Sequence, residues 1–171
     1  LYIMLSKPVS RTQFIIGKFF GLWLSIIFSV IIMTIVYLLT VYVKSKSIDL
    51  LSLWSILLQL FELAIFIGIA ILFSTVTTPL AGTIYSIIIL YIGHSVDILK
   101  KSADKSGVIA KFFSNSVYYI LPNLEKFNIR NSVVHGVIPN SAEIIYPIIY
   151  SSMYVLVLLW LAILALRKQE L

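Results

Sequence analysis

The first 21 residues, Leu1–Gly21, read LYIMLSKPVSRTQFIIGKFFG and decide how the rest of this chain is arranged. They carry three basic side chains around Pro8, and they lead into residues 19–43, which contain no charged side chain. About 20 apolar residues are enough for a helix to cross the hydrocarbon core of a bilayer. The stretch therefore predicts a basic elbow at a membrane surface, followed by a helix that enters the membrane.

The elbow itself has local signals for a corner. Pro8 prevents a helix from running through it, because it lacks an amide hydrogen and restricts the preceding residue. Ser10 can cap the next helix, and Gln13, three residues later, can return a hydrogen bond to the Ser10 amide. We expect a short helix over residues 1–6, a corner at residues 7–9 and a second helix that begins after Ser10.

The composition indicates a membrane protein. The chain is 60% hydrophobic and 12% charged, with a mean hydropathy of +1.04, whereas soluble domains are about half apolar and about a quarter charged. This excludes a soluble protein. The net charge of +6 lies mainly at the ends of apolar runs, which is typical of contact with lipid head groups and argues against nucleic-acid binding. The chain has no cysteine, so disulfides and thiolate sites are excluded.

Four apolar segments predict four transmembrane helices, and no pattern predicts a strand. We therefore expect an all-α, polytopic helical membrane protein with a single transmembrane domain over residues 1–171. The predicted elements are the elbow at 1–11, spans at about 14–43, 50–73, 79–99 and 141–166, and a long extracytoplasmic polar segment at 100–140. We call residues 100–140 the polar segment.

The polar segment contains one helical pattern. Apolar residues recur in it at helical spacing beside polar ones, at Ile109, Phe113, Val117 and Ile120. This pattern favours an amphipathic helix that lies in the membrane interface and is ended by Pro122.

Small residues form a stripe along the first predicted span, at Gly17, Gly21, Ser25 and Ser29. A spacing of four residues places them on one face, where they allow another helix to approach closely. They predict either packing against a neighbouring helix of the same chain or the seam of a dimer.

Four polar residues in the predicted spans form a candidate intramembrane polar site: Gln59, Glu62, His94 and Asp97. A carboxylate in mid-membrane costs on the order of a few kcal/mol, so Glu62 should face protein or water and be paired or protonated. It is either a functional group or a polar contact that holds helices together. His94 and Asp97 share a helix face but are too few for a metal site, and we interpret them as a polar pair that ends the span.

Three tyrosines recur every four residues in the last predicted span, at Tyr146, Tyr150 and Tyr154. Tyrosine is enriched where a membrane meets water, so the stripe predicts an aromatic belt rather than a ligand-binding set.

An even number of spans places both ends of the visible chain on one side. Basic residues cluster near those ends, at Lys7, Arg11, Lys18, Arg167 and Lys168. The positive-inside rule favours a cytoplasmic location for both ends, although the basic residues of the polar segment weigh against it.

Signatures of catalysis are absent from the sequence. It has no G-x-x-x-x-G-K-[ST] phosphate loop, no G-x-S-x-G and no H-E-x-x-H, so enzymes of those classes are poorly supported. An intramembrane enzyme would also require more paired polar groups than the four residues of the candidate site. We do not expect the chain to be an enzyme.

Three stretches resemble a known family. Leu5–Arg11, LSKPVSR, followed by Phe14–Gly21, FIIGKFFG, resembles the segment after the second span in ABC-2 type transporter permeases. Leu121–Asn128, LPNLEKFN, with Val134-His-Gly136, and the C-terminal Leu166–Leu171, LRKQEL, look like the same family. The resemblance extends over the visible chain from end to end.

The resemblance implies the membrane subunit of an ATP-binding-cassette exporter in a prokaryotic cytoplasmic membrane. It implies a homo- or heterodimer with a second permease subunit, and a separate ATPase subunit that binds ATP and Mg²⁺, so that this chain binds no cofactor. It also implies two further spans before the elbow, hence a truncated N-terminus. The residues implied to couple to the ATPase are Leu5, Ser6, Lys7, Pro8, Val9, Ser10 and Arg11.

A second function class stays open at this point. A non-transporting membrane anchor or immunity-type protein that binds a partner would have the same composition and the same spans. The presence or absence of an ATPase partner discriminates between the two.

Overall fold

The computed structural model describes residues 10–46, 50–103, 115–116, 118, 120–134 and 138–168. The predicted short helix at 1–6 and the corner at 7–9 lie outside these residues, as does most of the predicted amphipathic helix. Of the elbow, Ser10 and Arg11 are described.

The described residues form helices and no strand. The helices are α1 (Arg11–Ser45), α2 (Ser52–Val76), α3 (Pro79–Ala103), a 3₁₀ helix (Leu124–Phe127), α4 (Arg130–Val134) and α5 (Ser141–Lys168). Four of them, α1, α2, α3 and α5, are long and apolar enough to cross a membrane. The prediction of an all-α, polytopic membrane fold is confirmed.

Local signals set two of the helix starts. The Ser10 Oγ accepts from the Gln13 amide at 3.2 Å, and the Ser10 amide donates to the Gln13 side chain at 3.1 Å, which completes the predicted capping box. At the start of α5, the Asn140 amide donates to Glu143 at 3.2 Å. The end of α2 differs from the prediction, because the helix continues to Val76, three residues beyond the predicted end at about residue 73.

Helix α2 lies at the centre of the bundle and contacts α1, α3 and α5. Its buried side chains include Leu58, Ile65 and Ile71, and the facing side of α5 buries Leu158 and Ala162. A Cβ atom on Gly68 would lie 3.0 Å from the Leu158 Cδ1. The glycine therefore lets α5 come close, and dispersion contacts from close packing hold helices together in lipid.

Helix α1 lies at the edge of the bundle. Only Ile15 and Phe19 are buried in it, and both belong to its first three turns. Farther along, the Trp23 ring contacts the Phe61 ring, with 6.4 Å between centroids. Most of its apolar side chains are exposed, which in a membrane means that they face lipid or another subunit.

The polar segment packs against α3 at a glycine and forms hydrogen bonds with two tyrosines of α5. A Cβ atom on Gly93 would lie 2.8 Å from the Pro122 carbonyl oxygen, so the glycine lets the segment cross α3 at close range. The Tyr150 hydroxyl accepts from the Asn123 amide at 3.0 Å, and the Tyr154 hydroxyl donates to the Ile120 carbonyl at 3.0 Å. Both tyrosines therefore bind backbone groups of the segment, while the aromatic belt at the membrane interface stays a prediction.

Candidate functional site: a polar cleft beneath the polar segment

The site lies at the end of the bundle that carries the 3₁₀ helix. Helix α2 starts there at Ser52, and Glu62 follows ten residues later. At a rise of about 1.5 Å per residue, its Cα lies roughly 15 Å below that end of α2. The Glu62 side chain is thus well inside the span but still within reach of groups on the polar segment.

Glu62 pairs with His94 across two helices. The Glu62 Oε1 and the His94 Nε2 are 2.9 Å apart, which is a hydrogen bond between α2 and α3. The other ring nitrogen, Nδ1, lies 3.9 Å from the Glu125 Oε2 on the 3₁₀ helix. His94 therefore stands between two carboxylates, and the expectation that Glu62 would be paired agrees with this geometry.

Asn123 organises the turn above this pair. Its Nδ2 donates to the Asp97 Oδ1 at 2.7 Å, and its Oδ1 accepts from the Glu125 amide at 3.1 Å. Glu125 in turn accepts from the Asn128 Nδ2 at 3.0 Å. These short side-chain bonds hold the turn on α3, because Asn side chains can substitute for the backbone partners that a turn lacks.

These elements border a partly open cavity of about 220 Å³ that we call the polar cleft. It is bounded by α2, α3, α4 and the 3₁₀ helix. Its lining residues are Ser55, Gln59, Glu62, His94, Phe127, Asn128 and Arg130.

A second cavity, of about 410 Å³, lies beside the cleft, between α1 and α2. We call it the apolar groove. It shares Ser55, Gln59 and Arg130 with the polar cleft, and its other lining residues are Val30, Met33, Thr34, Tyr37, Ser52, Ile56 and Val133.

The two charged residues of the cleft, Glu62 and Arg130, differ in their contacts. Glu62 is engaged by His94 at 2.9 Å, but among the described residues no carboxylate lies within 4.0 Å of the Arg130 guanidinium. Arg130 is an exposed side chain at the junction of cleft and groove. Within the described part of the chain, no group of three or more His, Asp or Glu side chains could hold a metal ion. The arrangement suits ligand binding by hydrogen bonds and by one guanidinium group.

Three of the four residues of the candidate intramembrane site meet in this cleft. Gln59, Glu62 and His94 line it together. Asp97 lies one turn farther along α3 and binds Asn123 instead. His94 and Asp97 both face the polar segment, as their spacing predicts.

Sequence reasoning missed the contribution of the polar segment. Asn123, Glu125 and Asn128 lie in the stretch Leu121–Asn128, which we used only for its family resemblance, and Arg130 follows two residues later. A signal was available, since a polar run of Asn, Glu and Asn beside a proline is typical of a turn built by side chains.

The small-residue stripe does not pack within the described part of the chain. Nothing lies within 4 Å of the positions that a Cβ would take on Gly17 and Gly21, and Ser25 and Ser29 are exposed, with hydroxyls bonded to their own helix. No described helix packs on the glycines of this stripe. Packing against a neighbouring helix and the seam of a dimer both stay predictions.

Of the predicted coupling residues, Arg11 makes a visible contact. Its guanidinium donates to the Arg167 carbonyl at the end of α5, at a long distance of 3.5 Å. The C-terminus of a helix carries partial negative charge, which favours a cation there. This contact places the start of α1 beside the end of α5, while residues 5–9 lie outside the described part of the chain.

Comparison with known proteins gives no match to this chain among protein-family models, curated proteins or solved structures. The function must therefore be inferred from the residues of the chain and their geometry.

Proposed function

We propose that this chain is the membrane-spanning permease subunit of an ABC transporter of the ABC-2 type. In this role it moves a substrate across the cytoplasmic membrane with energy from ATP that a separate subunit hydrolyses. The observation that carries the proposal is the polar cleft, because polar groups that line a cavity inside a helical membrane bundle are typical of a substrate pathway. The resemblance of Leu5–Arg11 and Phe14–Gly21 to ABC-2 permeases supports the type.

The packing of α1 supports a mechanism. A force applied by an ATPase to the elbow would act on the first turn of α1 and, through Arg11, on the end of α5. Since α1 is the least buried of the four long helices, it can move against α2 at a lower cost than the others. Such movement would change the width of the apolar groove, which lies between α1 and α2.

The proposed partners are an ABC ATPase subunit and a second permease subunit. The proposed orientation has both ends of the chain in the cytoplasm and the polar segment outside. The polar cleft would then open toward the outer side of the membrane.

The elbow can be tested by purification of the tagged chain from its own membrane. The double change Pro8→Ala with Arg11→Glu should leave the chain inserted and dimeric but abolish ATPase association and transport. A matched control is Lys44→Glu, which reverses a charge at the opposite end of α1 and should leave both unchanged. Normal ATPase association and normal transport in the elbow variant would show that residues 1–11 do not couple the two subunits.

The orientation can be tested by labelling, since the chain has no native cysteine. Cysteines introduced at Ser45 and Ser132 should react with a membrane-impermeant thiol reagent on intact cells, whereas a cysteine at Gln169 should not. The reverse pattern would place the elbow outside and would contradict its contact with a cytoplasmic ATPase.

A further inference from the structure

The polar cleft and the apolar groove lie side by side. Ser55, Gln59 and Arg130 line both cavities, so a ligand held at these three residues would reach both. The cleft side presents amides, a hydroxyl and charged groups, whereas the groove side is dominated by Val30, Met33 and other apolar side chains. This combination matches a molecule with a polar head and an apolar tail.

The head group must supply the selectivity of such a site. The groove is partly open, since Met33 is 70% exposed and Tyr37 is 41% exposed. A hydrocarbon tail in the groove gains little over the same tail in lipid, because lipid chains are as apolar as the groove walls. Recognition therefore depends on the hydrogen bonds and charges around the head.

Arg130 determines the charge of that head. Among the described residues no carboxylate lies within 4.0 Å of its guanidinium, although its charge acts on Glu62 from a longer distance. Guanidinium groups bind carboxylates and phosphates with paired hydrogen bonds. Glu62 lies in the same cleft, and Glu125 lies beside His94 at 3.9 Å. These two carboxylates oppose any anion, so the single guanidinium can offset one negative charge on the ligand but not a second.

We propose that the cleft and groove bind an amphiphile with a singly charged anionic head group, whose head lies at Arg130 and whose tail lies between α1 and α2. The role of this amphiphile as a transported substrate rests on the proposed permease function. Its binding to the cleft and groove does not depend on that function.

Lys126 provides a matched control four residues away. Its Nζ lies 4.7 Å from the centre of the Tyr150 ring and 5.0 Å from that of the Tyr146 ring, so its charge is already engaged by aromatic faces. It lines a neighbouring cavity with Tyr146 and Pro147, which shares Asn128 with the polar cleft but does not include Arg130. Removal of its charge should alter the surface field as much as a change at Arg130, without altering the cleft.

The test uses the full chain in nanodiscs of phosphatidylcholine and the fluorescent fatty acid cis-parinarate, with energy transfer from tryptophan as the signal. Parinarate should bind at least tenfold more tightly than its uncharged methyl ester, because a charge-assisted hydrogen bond is worth about a factor of ten or more. Arg130→Gln should remove that difference by weakening parinarate alone. Lys126→Gln should leave both affinities unchanged, and Thr34→Phe, which fills the groove, should weaken both ligands.

Competition distinguishes the sources of the anion. Displacement of parinarate by lysophosphatidylglycerol as well as by stearate supports a general anionic amphiphile, and displacement by stearate alone supports the same site with a carboxylate preference. Displacement by inorganic phosphate at the same concentration would overturn the requirement for a tail. Equal affinity for acid and ester, or equal losses in Arg130→Gln and Lys126→Gln, would overturn the assignment of the head to Arg130.

The two proposals fail separately. A chain that binds parinarate through Arg130 but recruits no ATPase would contradict the permease function and leave the site in place. A chain that recruits the ATPase but binds acid and ester equally would contradict the site alone.

Discussion

Helices α1 and α2 are equally hydrophobic but occupy opposite positions in the bundle. Their most apolar stretches have the same mean hydropathy, 2.6, yet 39% of the residues in the α2 stretch are buried by protein and 0% in the α1 stretch. Protein interior and lipid are similarly apolar surroundings, so no hydrophobic force sorts one helix to the centre. Hydropathy identifies a membrane helix but does not show what surrounds it.

The two helices differ in how their small and polar residues are used. Gly68 of α2 lies against Leu158, and Glu62 binds His94, so both residues hold the bundle together. The corresponding glycines of α1, Gly17 and Gly21, face open space in the described structure. The same residue type therefore marks a packed contact in one helix and an uncovered surface in the other.

The largest effect should come from small-to-large changes that compare the two helices. Gly68→Val should lower the free energy of unfolding by about 1–3 kcal/mol, because its side chain would collide with Leu158, which is itself closely packed. Gly21→Val should leave this free energy nearly unchanged in the monomer. Unfolding of the purified chain in mixed detergent micelles by added sodium dodecyl sulfate measures both, and an equal loss in the two variants would contradict the edge position of α1.

The next effect concerns what covers α1. If a second copy packs on the small-residue stripe, Gly21→Leu should weaken dimerisation by about tenfold, since dispersion contacts at a close helix pair are lost when the backbones separate. Energy transfer between labelled copies in vesicles measures the dimer fraction. Leu24→Ile, a volume-conserving change on an exposed position of the same helix, is the control, and an unchanged dimer fraction in Gly21→Leu would exclude the stripe as the seam.

A smaller effect should come from the pair of Glu62 and His94. A double-mutant cycle on the free energy of unfolding, with Glu62→Ala and His94→Ala, should give a coupling energy of about 0.6 kcal/mol, the average for interhelical polar pairs in membranes.

A separate change at Glu62 tests its role in transport. Glu62→Gln should preserve stability, because the amide retains hydrogen-bonding capacity without a charge. If Glu62 takes part in substrate passage, transport should fall in Glu62→Gln at normal abundance, whereas unchanged transport would assign it to packing.

The smallest effect is expected at Ser151, which lies where α5 meets α1 and α2. Its hydroxyl is buried with no hydrogen-bond partner among the described residues, so Ser151→Ala should leave the free energy of unfolding unchanged or raise it slightly. The neighbouring Ser152 bonds to the Ile148 carbonyl at 2.8 Å and provides the control, Ser152→Ala. A clear loss of stability in Ser151→Ala would indicate that this hydroxyl has a partner in the membrane.

Much of the helical framework could be predicted because its signals are local. The capping box of Ser10 and Gln13 involves residues three apart, and the start of α3 at Pro79 follows from the tolerance of proline in the first helical turn. The hydrogen-bond partners of the tyrosine stripe could not be predicted in the same way. Its spacing shows that the rings share a face, but Tyr150 and Tyr154 found partners on the polar segment, 27 and 34 residues away in sequence.

The sequence by itself determined that this chain is a helical membrane protein with four spans, because the cost of burying polar backbone in lipid leaves a long apolar segment few alternatives to a helix. It also placed Glu62 and His94, two polar residues, inside apolar spans, where polar side chains require a partner. Only the tertiary structure decided that these two residues, 32 positions apart, form a pair and that Arg130 lines the same cleft with no carboxylate within 4.0 Å among the described residues. Their meeting depends on which helices are neighbours, and in lipid that choice is made by close packing and hydrogen bonds between distant residues.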